Sequence, residues 1–274
     1  MTLAALWLDC SGDGQRLCIA SDSRTTPGPI DGVTKVLLFG REDVAGVWAG
    51  DYRYAALLAS HLDAVFTGSD AMRSRDVDLS RALAQARVSV RSHLDEAVKK
   101  TGGWSSYLNE EARQPERTDL VVAGYSLLLG EFCFLRIQYV PNSKRWKLTT
   151  GSFDSTTLIF LGDERPRAKS WARQARAYVG AVETWRMEPL QAIHRAIVDS
   201  RFHSIGGVPQ MVKVFMHGRA LPYGFQDPAT GKIWSRATIV SKRGGRELAA
   251  SRRLIDLASW RLGAGRYAGG DPPQ

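Results

Sequence analysis

The opening stretch MTLAALWLDCSGDGQRLCIASDSRTT (residues 1–26) decides the fold. Leu3 to Cys10 reads as a β-strand and Arg16 to Ser21 as its partner, with Ser11-Gly12-Asp13-Gly14 between them. Asp-Gly between two apolar runs is a strong hairpin signal, because both residues tolerate the positive φ of a tight turn. The chain therefore opens on an antiparallel strand pair. Thr2 stands directly behind Met1 with no polar lead-in, so the residue heading the first strand is expected to have a role of its own.

Working outward, Thr34 to Phe39 and Val44 to Ala49 form a second predicted strand pair around the polar turn Gly40 to Asp43. The period then changes. Tyr54, Leu57, Leu58, Leu62, Val65 and Phe66 follow helical spacing, with Asp51 as the expected N-cap and Gly68 as the stop. A second helix carries Leu79, Leu83, Ala86, Val90, Leu94 and Ala97 on one face and ends at Gly102-Gly103. Residues 102–117 are polar and aperiodic and read as an exposed loop. Strands resume at Asp119 to Tyr125, Glu131 to Val140, Trp146 to Thr150 and Thr156 to Leu161. Helices follow at Pro166 to Val179 and Pro189 to Ser200, each opening on a proline, whose missing N–H is not needed in a first turn. Further strands are predicted at Gln210 to His217 and Lys232 to Val240, and a basic helix from Arg246 to about Leu262.

Hairpin-linked strands need antiparallel sheets, and two helix pairs need two faces to cover. The economical packing is α+β: a four-layer αββα sandwich of two antiparallel sheets with an extra C-terminal helix. Residues 2–240 form one domain in this reading. Residues 241–274 are the basic helix and a Gly/Pro-rich tail, GAGRYAGGDPPQ, expected to be disordered.

Composition narrows the classes. With 274 residues, 44% hydrophobic and 24% charged, the chain is an ordinary globular protein. No apolar run approaches the roughly 20 residues of a membrane span. No basic segment precedes an apolar one at the N-terminus, and Asp9 interrupts the first apolar run, so the expected location is cytoplasmic. The three cysteines make no Cys-x-x-Cys pair and the five histidines no ligand spacing, so no metal, cofactor or disulfide framework is expected. Cys18 and Cys133 lie in strand-like runs and read as small buried apolar residues. Net charge is +9, and Lys242 to Arg266 holds seven basic residues against Glu247 and Asp256, hence +5 of it. The favoured reading is a solvated helix face; a nucleic-acid surface is the alternative, without aromatic interleaving or a known binding motif to support it.

The layout and four motifs resemble the N-terminal-nucleophile hydrolases, specifically proteasome β-type subunits and their bacterial homologues. The motifs are Thr2, "ASDSRTT" (Ala20 to Thr26), "TKV" (Thr34 to Val36) and "VWAGD" (Val47 to Asp51); "VVAGY" (Val121 to Tyr125) followed by "LGD" (Leu161 to Asp163) is a weaker fifth. The resemblance covers Thr2 to about Gly218. It implies the αββα fold of that class, a self-compartmentalising homo-oligomeric double ring, and peptide or unfolded protein as substrate. An ATP-dependent unfoldase partner is not named by any feature.

The chemistry fits a threonine at this place. A Thr hydroxyl is a weak nucleophile and needs a base. Once Met1 is removed, Thr2 carries both, since a free α-amine titrates near 7.7–8.0. The resemblance implies that Lys35 stands beside the Thr2 hydroxyl, that Asp22 holds Lys35, and that the Gly50 N–H faces the developing oxyanion. Two regions depart from the family pattern. Where it has Gly-Ser-Gly, this chain has Gly162-Asp163-Glu164, so Asp163 would lie near the amine and raise its pKa. In "RFHSIGG" (Arg201 to Gly207), Phe202 and Ile205 replace polar family residues, with His203 and Ser204 out of register and Ser204 the nearest hydroxyl. Trp48 falls where a pocket wall is expected. Each residue also has an ordinary reading: Thr2 as a strand residue behind a retained Met1, Asp22 as a turn residue, Lys35 as a solvated strand-edge lysine, Gly50 as a tight junction. Two functional readings follow: a threonine-type peptidase or amidase, and a catalytically weak or silent ring subunit acting as scaffold or chamber.

Overall fold

A computed structural model of the chain describes residues 2–11, 14–24, 31, 33–101, 117–179, 184–226, 233–234, 238–240, 253–256 and 262–264. The strands are β1 (Leu3–Asp9), β2 (Arg16–Ser21), β3 (Val36–Phe39), β4 (Val44–Gly50), β5 (Thr118–Ser126), β6 (Glu131–Val140), β7 (Arg145–Ser152) and β8 (Leu158–Gly162). They continue with β9 (Gln210–Phe215), β10 (Ala220–Gln226), β11 (Ile233–Trp234), β12 (Thr238–Val240), β13 (Arg253–Asp256) and β14 (Leu262–Ala264). The helices are α1 (Tyr52–Thr67), α2 (Asp70–Arg73), α3 (Leu79–Thr101), α4 (Arg165–Val179) and α5 (Glu188–Val198).

The fold is α+β with two sheets. The first runs β14-β13-β10-β9-β2-β1-β8 with β11 on β10; the second runs β12-β3-β4-β5-β6-β7. Pairing is antiparallel except at β10/β13 and β3/β12. The opening hairpin is as expected, with Leu6 opposite Ile19, although residues 12 and 13 of its turn lie outside the described residues.

Alternation along the strands separates three cores. Ala4, Leu6, Leu8, Val36, Val47 and Val121 meet between the sheets. Leu3, Ala5 and Trp7, pointing the other way from β1, pack against Leu190 and Ile193 of α5. Trp48, Leu120 and Val122 pack against Leu58, Leu62 and Leu83 of α1 and α3. A period-2 strand that is apolar on both faces must be covered on both, and this layering is compatible with the expected sandwich. Asp51 caps α1, its carboxylate accepting from the Arg53 amide at 3.0 Å, and Gly68 ends it. Cys18 and Cys133 are buried, and burial pushes the Cys18 thiol up to about 12.

Three expectations need correction. The helix expected over 246–262 is not what its described residues form: Arg253–Asp256 is strand β13, parallel to β10, and β14 follows it. The outer edge of β10 carries backbone groups that need partners, and that demand outweighs the local helical pattern. The described part of 241–274 thus continues the first sheet; the rest, including most of the basic cluster and residues 265–274, lies outside the described residues. β10 is an additional strand and carries Pro222. Tolerance of that proline is local: β13 pairs only from Gly224 onward, so Pro222 is partnered on one side, by Val212. The strand expected over 232–240 divides, Ile233–Trp234 joining the first sheet and Thr238–Val240 the second. The loop expected over 102–117 lies outside the described residues up to 116.

Candidate functional site

β1 begins, β2 ends, β9 begins and β8 ends at one end of the first sheet; β3 begins, β4 ends and β5 begins at the same end of the second. Thr2, Asp22, Lys35 and Gly50 gather here. Beyond the last pair of the β1/β2 ladder, the Asp22 amide donates to the Leu3 carbonyl at 3.1 Å. The Leu3 amide donates back to Asp22 Oδ1 at 3.0 Å. Lys35 Nζ donates to that same Oδ1 at 2.8 Å and to the Arg24 carbonyl. Asp22 Oδ2 accepts from the Arg24 amide at 3.2 Å and the Gly206 amide at 3.3 Å.

Both charged side chains are 0% exposed, so Lys35 is no strand-edge decoration. Burial drives the Lys35 pKa below the ordinary lysine value, and attraction to Asp22 restores only part of the loss. A buried ion pair survives when its remaining lone pairs and protons are also satisfied. Asp22, with four donors, meets that condition, and its anchoring to the Leu3 amide fixes the Lys35 ammonium one residue from Thr2.

Gln210 holds Lys35 from the other sheet. Its Oε1 accepts from the Lys35 amide at 2.8 Å and the Val36 amide at 3.3 Å, and its Nε2 donates to the Val33 carbonyl at 2.8 Å. Gln210 is not among the residues expected at the site. A glutamine heading the strand-like run MVKVF was the available signal; its burial and its partner, 175 residues away, were not legible.

Gly50 closes the second-sheet side. The Trp48 amide donates to the Lys35 carbonyl at 3.2 Å, and Gly50 lies two residues further on at φ +102°. A Cβ there would fall 1.7 Å from the Arg117 carbonyl, so only glycine fits. Gly162 mirrors it on the first sheet: φ is +96°, and a Cβ would fall 1.6 Å from the Thr2 carbonyl. Leu3 pairs with Gly162, which brings Asp163 level with Thr2. The Asp163 carboxylate is held at 3.7 Å by Arg117 Nη1, both half-exposed. A guanidinium therefore offsets the negative charge expected near the head of β1, and Arg117 links the Gly50 and Gly162 sides.

Thr2 is 3% exposed in the chain that carries Met1; Met1 lies outside the described residues. Ser204 is half-buried on the loop whose Gly206 amide reaches Asp22. Phe202 and Ile205 belong to the core beneath α4 and α5, Phe202 meeting Trp171 edge-on at 5.8 Å. These two positions are structural apolar packing. Trp48 is 2% exposed, its ring 5.9 Å from Lys35 Nζ. Beside it opens a pocket of about 220 Å³, lined by Val33, Leu37, Trp48, Tyr52, Ala55 and Ala59. Trp48 lines this pocket, which is mostly apolar, with Thr34 and Ser60 adding hydroxyls to its lining.

Among the described residues no group of three or more His, Cys, Asp or Glu is placed to hold a metal ion. No described helix is long and apolar enough to cross a membrane. No model of a known protein family matches the chain, and no curated protein matches it.

Proposed function

We propose that the chain is an N-terminal-nucleophile hydrolase of the proteasome β type, with the αββα fold of that class, acting as a threonine peptidase or amidase after loss of Met1. The observation that carries this reading is the shared oxygen: Asp22 Oδ1 accepts both the Leu3 amide and the Lys35 ammonium. It ties a wholly buried cation to the head of β1, where a hydroxyl nucleophile and its own α-amine would stand together.

In this mechanism the Thr2 α-amine takes the hydroxyl proton as Oγ attacks the scissile carbonyl. Lys35 keeps the amine neutral and favours the alkoxide. The Gly50 N–H donates to the carbonyl oxygen as it becomes an oxyanion. Collapse breaks the amide C–N bond; the leaving nitrogen receives the proton from the amine, and an ester to Thr2 remains. Water then attacks the ester, giving its proton to the amine, and departure of Oγ restores the hydroxyl. The apolar pocket beside Trp48 would receive an apolar side chain of a peptide substrate. Ring assembly, unfolded-protein substrates and a cytoplasmic setting are parts of the same proposal.

One observation favours the silent-subunit reading: Thr2 is only 3% exposed. The discriminating experiment compares wild type with Thr2→Ala on fluorogenic peptides bearing an apolar residue before the scissile bond. Turnover in wild type with loss of at least 10³-fold in Thr2→Ala supports the peptidase. Absence of turnover, with Met1 retained in the intact mass, supports the silent subunit.

A further inference from the structure

The opposite end of the molecule carries a feature that the proposed chemistry does not use. The β5–β6 turn presents Leu127, Leu128 and Leu129 at 76%, 61% and 54% exposure. Three consecutive exposed leucines cost solvation free energy, and a lone chain gains nothing from them. The turn is rigid. Ser126 Oγ donates to Asp78 Oδ1 at 2.7 Å, the Leu128 amide donates to Asp78 Oδ2 at 3.0 Å, and the Leu129 amide donates to Ser126 Oγ at 3.1 Å. Asp78 is itself held by the Ser80 amide and hydroxyl at 2.8 and 2.6 Å. The leucines are a preorganised knob, with little entropy left to lose on docking.

A socket lies at the same end. A cleft of about 330 Å³ is lined by Leu38, Phe39, Val44, Ala220 and Leu221, with the exposed Glu42–Arg219 pair, 3.7 Å apart, at its rim. That is about twice the roughly 150 Å³ of a cavity that holds a benzene molecule, room for two leucine side chains. The Ala220 amide donates to the Glu42 carbonyl at 2.8 Å, so the two hairpins forming the socket are joined. Val44 pairs with Gly124, two residues before Ser126, so knob and socket open side by side.

We infer that a second copy of this chain docks here, the Leu127–Leu129 knob of each copy entering the Leu38–Val44–Leu221 socket of the other. One surface that offers both an uncharged knob and an apolar socket is self-complementary, and reciprocal exchange about a two-fold axis fills both sockets. The contact is independent of the proposed hydrolase activity.

Sedimentation velocity of the full chain tests it. Wild type is expected to sediment as a pair, or an even multiple of one, and Leu128→Asp at half that mass with an unchanged melting temperature. Ala220→Phe, which plugs the socket, should also halve the mass. The wild-type pair should persist at 0.5 M salt, because the contact is apolar. The inference is overturned if wild type and Leu128→Asp share one mass, monomer included, or if salt alone separates the copies.

Discussion

Gln210 and Lys35 join the two sheets at the candidate site: the Gln210 carboxamide accepts from the Lys35 amide at 2.8 Å, across 175 residues of sequence. The same side chain satisfies Val36 and Val33, so the start of β3 takes its position from β9. Gln210→Leu keeps much of the volume and leaves two buried amides and the half-buried Val33 carbonyl without this partner. A destabilisation of about 3 kcal/mol is expected, since each unsatisfied group costs roughly 1–3 kcal/mol. Chemical denaturation measures it; a loss under about 1 kcal/mol would mean that water or another group already serves these amides.

Lys35 and Asp22 are expected to be coupled. Removing either partner leaves a buried charge alone, at about 3–5 kcal/mol. Lys35→Ala and Asp22→Asn should each lower the melting temperature, and the double variant should lose much less than the sum. Lys35→Met keeps the length without the charge and should be more stable than Lys35→Ala while remaining inactive. Additive losses would break the pair.

The Arg117–Asp163 contact bears on pH dependence through the proposed mechanism. With Arg117→Ala, the Asp163 carboxylate faces the α-amine unopposed and raises its pKa, so the acid limb of kcat/KM should move to higher pH. Asp163→Asn added to Arg117→Ala should move it back. The pair is half-exposed, so a displacement of less than about one pH unit is expected, smaller at high salt. Acid limbs that coincide in all three proteins would remove Arg117 and Asp163 from the mechanism.

Asp78 sets an acid limit on the fold. Burial works against its charge, but the Ser80 hydroxyl, the Leu128 amide, the Ser126 hydroxyl and the Ser80 amide together outweigh burial and hold the pKa far below the ordinary 3.8. A carboxyl depressed in the folded state stabilises fully above its unfolded value, and that stabilisation drains away as pH falls below it. Urea unfolding between pH 6 and pH 2 should therefore show stability falling below about pH 4, and Asp78→Asn should flatten that slope. Equal slopes would count against the Asp78 network.

Thr2, Asp22, Lys35 and Gly50 came from the resemblance; what the local pattern carried was their setting. Asp22 ends a strand, Lys35 precedes an apolar strand, Gly50 sits between a strand and a capped helix, and each position is a turn or a boundary. The antiparallel pairing and the layers followed from the hairpins and the two helix pairs; the strand order within each sheet, such as β9 beside β2 and β8 beside β1, did not. What escaped was non-local. Gln210 and Arg117 act on partners far away in sequence, and β10 is tolerated with Pro222 only because β13 stops short of it. The C-terminal segment carried a helical charge pattern, and the open edge of β10 overrode it at Arg253–Asp256. The short α2 was missed because four residues capped by Ser69 leave no period to read.

The central claim is that Thr2 becomes the N-terminal residue and attacks through its hydroxyl. The most direct measurement is the mass of the N-terminal peptide of the purified, untagged protein, before and after treatment with a hydroxyl-acylating β-lactone. The account predicts a peptide that begins at Thr2, a single acyl adduct on that residue, and no adduct in Thr2→Ala or Lys35→Met. A peptide that keeps Met1, or a processed Thr2 left unmodified while another residue reacts, would contradict it.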